Sequence, residues 1–113
     1  MNLSEEVMSI LSIGLSLKKI GVNNWALDKM QALETLSKLK ESDIAVLGGD
    51  VYEIVDGKPK INYDNWHCNR KEGELFKQYI SRSITYTRKY IENYKHSNND
   101  KIRFVLVTKE LNT

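Results

Sequence analysis

One cysteine, one proline and two histidines in 113 residues narrow the chemistry before any motif is read. A lone Cys68 excludes an internal disulfide. A zinc cage takes three or four His, Cys or carboxylate ligands. Here His67 and Cys68 are neighbours, which a strand would send to opposite faces, and His96 lies far along the chain. The zinc-deaminase signature is missing, and so is a phosphate-loop Lys-Ser/Thr pair. No metal, cofactor or catalytic set is therefore expected, and the chain is read as a non-enzyme. No apolar run approaches the roughly 20 residues of a membrane span. The start Met1-Asn2-Leu3-Ser4-Glu5-Glu6 lacks the basic region of a signal peptide. These absences predict a soluble, cytoplasmic protein without a membrane partner.

What is present suits one globular domain over residues 1–113: 41% hydrophobic and 28% charged residues, values that argue against disorder. The net charge of +2 is unevenly laid out. Residues 41–66 carry six acids against Lys58 and Lys60, whereas residues 67–113 carry ten basic groups against five acids. A basic half can serve a nucleic-acid regulator. The plainer reading, that these cations line the wet face of a helix, is preferred, and nucleic acid is not the expected partner.

The pattern along the chain predicts an α+β domain in the order α-α-β-β-β-α-β. Its helices pack on one face of a three- to four-stranded, mainly antiparallel sheet. Ser4 caps a first helix, with Glu5 and Glu6 at its positive end and Gly14 after it. A short piece follows around Leu17 and Ile20, closing near Gly21, and Asn23 to Ala26 reads as a connector. Asp28 and Gln31 fit a capping box, and Met30, Leu33, Leu36 and Leu39 form the expected core stripe of the second helix. Ile44 to Leu47 reads as a buried strand, with Gly48-Gly49-Asp50 as a tight turn after it.

Val51 to Val55 and Lys58 to Tyr63 read as a hairpin about Asp56-Gly57, which opposes Tyr52 to Ile61 and Glu53 to Lys60. One side then holds Tyr52, Ile54, Pro59, Ile61 and Tyr63, the expected apolar side. The other holds Val51, Glu53, Lys58 and Lys60, and Pro59 marks an edge strand. Glu72 to Lys95 is the longest helical signal, with a stripe from Phe76 through Tyr79, Ile80, Ser83, Ile84, Thr87, Tyr90 and Ile91 to Tyr94. Ile102 to Val107 is a final strand, expected at a central position beside Ile44.

The segment Tyr63-Asp64-Asn65-Trp66-His67-Cys68 is where this small domain departs from core chemistry. Such residue types are costly to bury unpaired or large enough to make a contact. An unbroken strand puts Trp66 on the polar side with Asn62 and Asp64. A bulge at Asp64-Asn65 turns it inward, and both placements stay open. Asp50, Glu53, Asp56 and Asp64 can form an acidic patch on the hairpin, with Trp66 as an aromatic anchor. Those five residues are the candidate binding surface for a protein partner. The alternative is a small ligand-binding or enzymatic domain using Asp64, His67 and Cys68, although adjacent residues rarely make a nucleophile-base pair.

Gly48-Gly49-Asp50-Val51-Tyr52 and Tyr63-Asp64-Asn65-Trp66-His67-Cys68 together resemble the Immunity protein 40 family. Trp25-Ala26-Leu27, the Tyr-rich helix and the Phe104-Val105-Leu106-Val107 strand look similar too. The resemblance spans nearly the whole chain. It implies a small cytosolic protein of a bacterial polymorphic toxin system, one that binds and neutralises a cognate toxin domain. It implies no catalytic residues.

Overall fold

Two helix starts are written locally and form as expected in the computed structural model, which describes residues 3–111. Ser4 Oγ accepts from the Val7 amide at the head of α1 (Glu5–Leu11). This helix stops at Leu11, with Ser12 as its C-cap, before Gly14. Asp28 and Gln31 exchange both bonds of a capping box, at 2.8 and 3.0 Å, to open α2 (Lys29–Glu41). Between them lie two short strands, β1 (Leu15–Ser16) and β2 (Trp25–Ala26), paired antiparallel around a 3-10 turn that ends at left-handed Gly21. The expected connector at Trp25-Ala26 is thus a small strand.

The core face of α2 is Ala32, Thr35, Leu36 and Leu39, with Leu33 packed at its margin. Met30 is 82% exposed, a correction to the expected stripe. The reason is geometric. A residue every three positions falls back about 60° per step on a helix of 3.6 residues per turn, so Met30 ends opposite Leu39.

The main sheet has the order β4-β3-β5, antiparallel throughout, from β3 (Ala45–Val55), β4 (Lys58–His67) and β5 (Ile102–Lys109). The helix α3 (Phe76–Asn93) joins β4 to β5 across one face. Gly48-Gly49 is not a turn, as the spacing suggested, but lies within the continuous strand β3. A bulge against β5 occurs there, because Val46 faces Thr108 while Gly48 already faces Val107. The turn at Asp56-Gly57 has positive φ at both positions, 52° and 76°, the conformation favoured in two-residue hairpins. Tyr52 faces Ile61 and Glu53 faces Lys60, the expected register.

Both sides of the sheet bury apolar groups, unequally. The large core gathers Val51, Trp66, Phe104 and Leu106 with Val7, Leu11, Leu36, Leu39, Ile80, Ile84 and Ile91 from the three helices. A smaller cluster of Leu17, Ala26, Tyr52 and Val105 lies apart from it. The helices therefore cover the side of Val51, whereas the hairpin pattern had marked the side of Tyr52 as apolar. β5 pairs with β3 as expected but sits at the edge of the sheet. Its apolarity arises because Phe104 and Leu106 enter one cluster and Val105 the other. Leu27 exchanges two backbone hydrogen bonds with Phe104, at 2.8 and 2.7 Å, on its outer side.

Candidate functional site

Strand β4 carries the irregularity at the centre of the polar segment. Between the pairs Tyr52–Ile61 and Asp50–Asn65, β3 spends one residue, Val51, and β4 spends three, Asn62, Tyr63 and Asp64. Two extra residues preserve the alternation of sides, so Trp66 stays on the side of Asn62 and Asp64. That side is the one the helices cover. Trp66 is accordingly inward, 3% exposed, because the helices cover its side; the bulge at Asn62–Asp64 shifts the register without flipping the strand, and the side expected to be polar is the core.

The bulge is braced by its own side chains. Asn62 Oδ1 accepts from the Asp64 amide at 2.9 Å, and Asn65 Nδ2 donates to the Tyr63 carbonyl at 3.2 Å. From α3, the Tyr94 hydroxyl donates to Asp64 Oδ2 and accepts from Asn62 Nδ2. Burial, then the bond to Asp64, pushes the Tyr94 phenol up to about 12. Tyr63 itself takes φ +72°, a left-handed backbone that costs a bulky L-residue roughly 1–2 kcal/mol. Its side chain is 81% exposed.

Trp66 is the floor of this site. Its ring stacks on Tyr90 at 4.5 Å, meets Phe104 edge-on at 6.3 Å, and its Nε1 donates to Thr87 Oγ1 at 3.0 Å. Directly across the ladder is Gly49, where a Cβ would come 2.4 Å from the indole and 2.3 Å from the Val105 carbonyl. The indole lies over β3 because no side chain is there.

The four acids of the candidate surface are spread out. Asp56 and Asp64 are exposed, in the hairpin turn and in the bulge. Glu53 is half-buried, with its carboxylate 3.6 Å from His96 in the loop after α3. Asp50 lies on the other side of β3, where its charge, after burial, helps raise the Tyr52 phenol. It lines a cleft of about 310 Å³ with Leu47, Gly48, Gly49, His67, Asn69 and Val107.

Asp64, His67 and Cys68 do not converge. Asp64 is bound to Tyr94, and His67 is exposed at the cleft on the far side of the sheet. Cys68 is buried, with its carbonyl accepting from Tyr79 at 2.6 Å and its Sγ 3.3 Å from Arg82. Arg82 also grips Glu74 through two bonds, at 2.7 and 2.8 Å, and donates to the Asn69 carbonyl. That grip holds the Glu74 carboxyl down at about 2, with the Lys71 amide as second cause. Among the described residues, no group of three His, Cys, Asp or Glu side chains could hold a metal ion, and no helix is long and apolar enough to cross a membrane.

The five candidates read from the sequence did not include Tyr63 or Tyr94, which lie at the same bulge, nor Glu74 and Arg82, which hold the segment after it. The Asn62-Tyr63-Asp64-Asn65 run held one available signal: three residue types that bond their own backbone or tolerate left-handed geometry, clustered around a tyrosine.

Fold and site define an α+β domain with a braced polar bulge backed by stacked aromatics. The chain belongs to the Immunity protein 40 family, whose sequence model matches residues 16–108. No curated protein and no solved structure matches it.

Proposed function

We propose that this protein is the cytoplasmic antidote of a bacterial polymorphic toxin system. It binds a cognate toxin domain one to one and blocks its active site or substrate entry, without turnover of its own. The observation that carries this reading is membership of an immunity-protein family across residues 16–108. The surface we assign to the contact is the hairpin and bulge. Asp56 and Asp64 face the partner, Glu53 and Asp50 add charge at the margins, and Trp66 holds the surface from beneath. Carboxylates on such a surface speed encounter with a basic partner, and nucleases are partners of that kind. The separation of Asp64, His67 and Cys68 weighs against the enzymatic alternative.

The test is to express the protein with the C-terminal domain encoded by the gene immediately upstream. Cells making that domain alone should stop growing, and co-expression should restore growth with a complex that co-purifies in equal amounts. Restored growth without a complex, or turnover of a substrate that tracks Asp64, His67 or Cys68, would overturn the proposal.

A further inference from the structure

Tyr63 stands in a position that its own chemistry disfavours. A left-handed φ of +72° is cheapest for glycine, and next for asparagine or aspartate. Asn62, Asp64 and Asn65 are all within two residues, yet the left-handed site holds a tyrosine. The side chain returns little to the fold. It is 81% exposed and makes no hydrogen bond, ion pair or ring contact among the described residues. Its backbone carbonyl accepts from Asn65 Nδ2.

The surroundings, in contrast, are built to hold it still. Asn62, Asp64 and Asn65 brace the bulge, Tyr94 ties it to α3, and the Trp66–Tyr90 stack lies under it. A rigid base with a projecting phenol loses little entropy on docking, the property that makes tyrosine a frequent anchor. The position is also open to a partner, since β4 is the outer strand of the sheet on that side. Asp64 beside it commits only one carboxylate oxygen to Tyr94.

We infer that Tyr63 is the aromatic anchor of the toxin interface. Its ring enters an apolar socket on the toxin domain, with a cationic group on the socket's rim reaching the free oxygen of Asp64. This rests on the toxin-binding reading above. The bulge is then a mounting: it spends backbone strain to hold one side chain outward, and the partner is the only place where that side chain can be buried.

The experiment is a calorimetric titration of the full chain against the domain encoded upstream, with thermal unfolding of each variant run in parallel. Tyr63→Ala should weaken binding by about 30-fold or more, the loss typical of a hot-spot aromatic, and leave the melting temperature unchanged. Tyr63→Gly should weaken binding equally and raise the melting temperature, because it releases the left-handed strain. Tyr63→Phe should retain most of the affinity. If the wild-type protein binds and Tyr63→Ala binds within about twofold of it, the anchor is wrong and the toxin reading stands. If the wild-type protein does not bind the domain, the toxin reading falls and the anchor with it. If Tyr63→Gly lowers the melting temperature, the side chain serves the fold and the inference fails on that ground.

Discussion

At the residue scale, Trp66 and Gly49 act as one unit. The indole stacks on Tyr90 at 4.5 Å, and the glycine supplies the space for it. Trp66→Ala should therefore cost about 3–5 kcal/mol of folding free energy, read from denaturant unfolding, as large-to-small core changes do. Trp66→Phe keeps a stacked ring and loses the bond to Thr87, leaving a buried hydroxyl short of a partner, so about 1–3 kcal/mol is expected. Gly49→Ala should destabilise as well. In a Trp66→Ala background its cost should fall but not vanish, because the clash with the Val105 carbonyl remains. Additive costs in that double-mutant cycle would show that the two residues are independent.

At the scale of elements, polar side chains hold the segment between β4 and α3. Leu75 at the N-cap of α3 offers no capping oxygen, and Gln78 Oε1 accepts from its amide instead. Arg82, one turn further on, reaches back to Glu74, the Asn69 carbonyl and Cys68. The pH dependence follows from Glu74, whose folded value is about 2 against an ordinary 4.5, through the bond to Arg82. A depressed carboxyl stabilises the fold fully above its unfolded value and loses that contribution as pH falls through its folded value. The Glu74→Gln protein should accordingly melt below the wild type at pH 6. The gap should close between about pH 4.5 and 2 as the wild-type carboxyl becomes protonated. A gap that stays constant over this range in thermal unfolding would remove Glu74 from the acid response.

At the scale of the molecule, the acids of the hairpin are spread over both sides of the sheet rather than gathered in a single patch. Glu53 faces His96, Asp50 faces Tyr52 on the other side of the sheet, and Asp56 and Asp64 are exposed between these limits. Steering depends on the summed potential, so spread charges still act together at low salt. Reversing Glu53 and Asp56 to lysine together should slow association with the toxin domain and change dissociation little. The effect should shrink as added salt shortens the Debye length from about 10 Å at 0.1 M to about 3 Å at 1 M. Association rates in stopped flow that do not respond to salt would count against any role for these acids. The same two-sided arrangement accounts for β5. An edge strand so rich in apolar residues is explained by burial on both faces, with Leu27 bridged to its outer side.

The sequence by itself determined the features that close within a few residues. These are the Ser4 and Asp28 caps, the Asp56-Gly57 turn with its Tyr52–Ile61 register, and the stripe of α3. Each rests on bonds or dihedrals that neighbouring residues settle among themselves. Other features were decided by what packs where. Alternation told which hairpin residues share a side, and only the helices arriving from elsewhere in the chain selected the side of Val51 as the core. Gly48-Gly49 looked like turn punctuation, because nothing local announces that an indole and a carbonyl 17 and 56 residues away will press on Gly49. The bulge was legible as a possibility and its size was not. Two extra residues, rather than one, follow from the need to set Trp66 opposite the glycine that leaves it room.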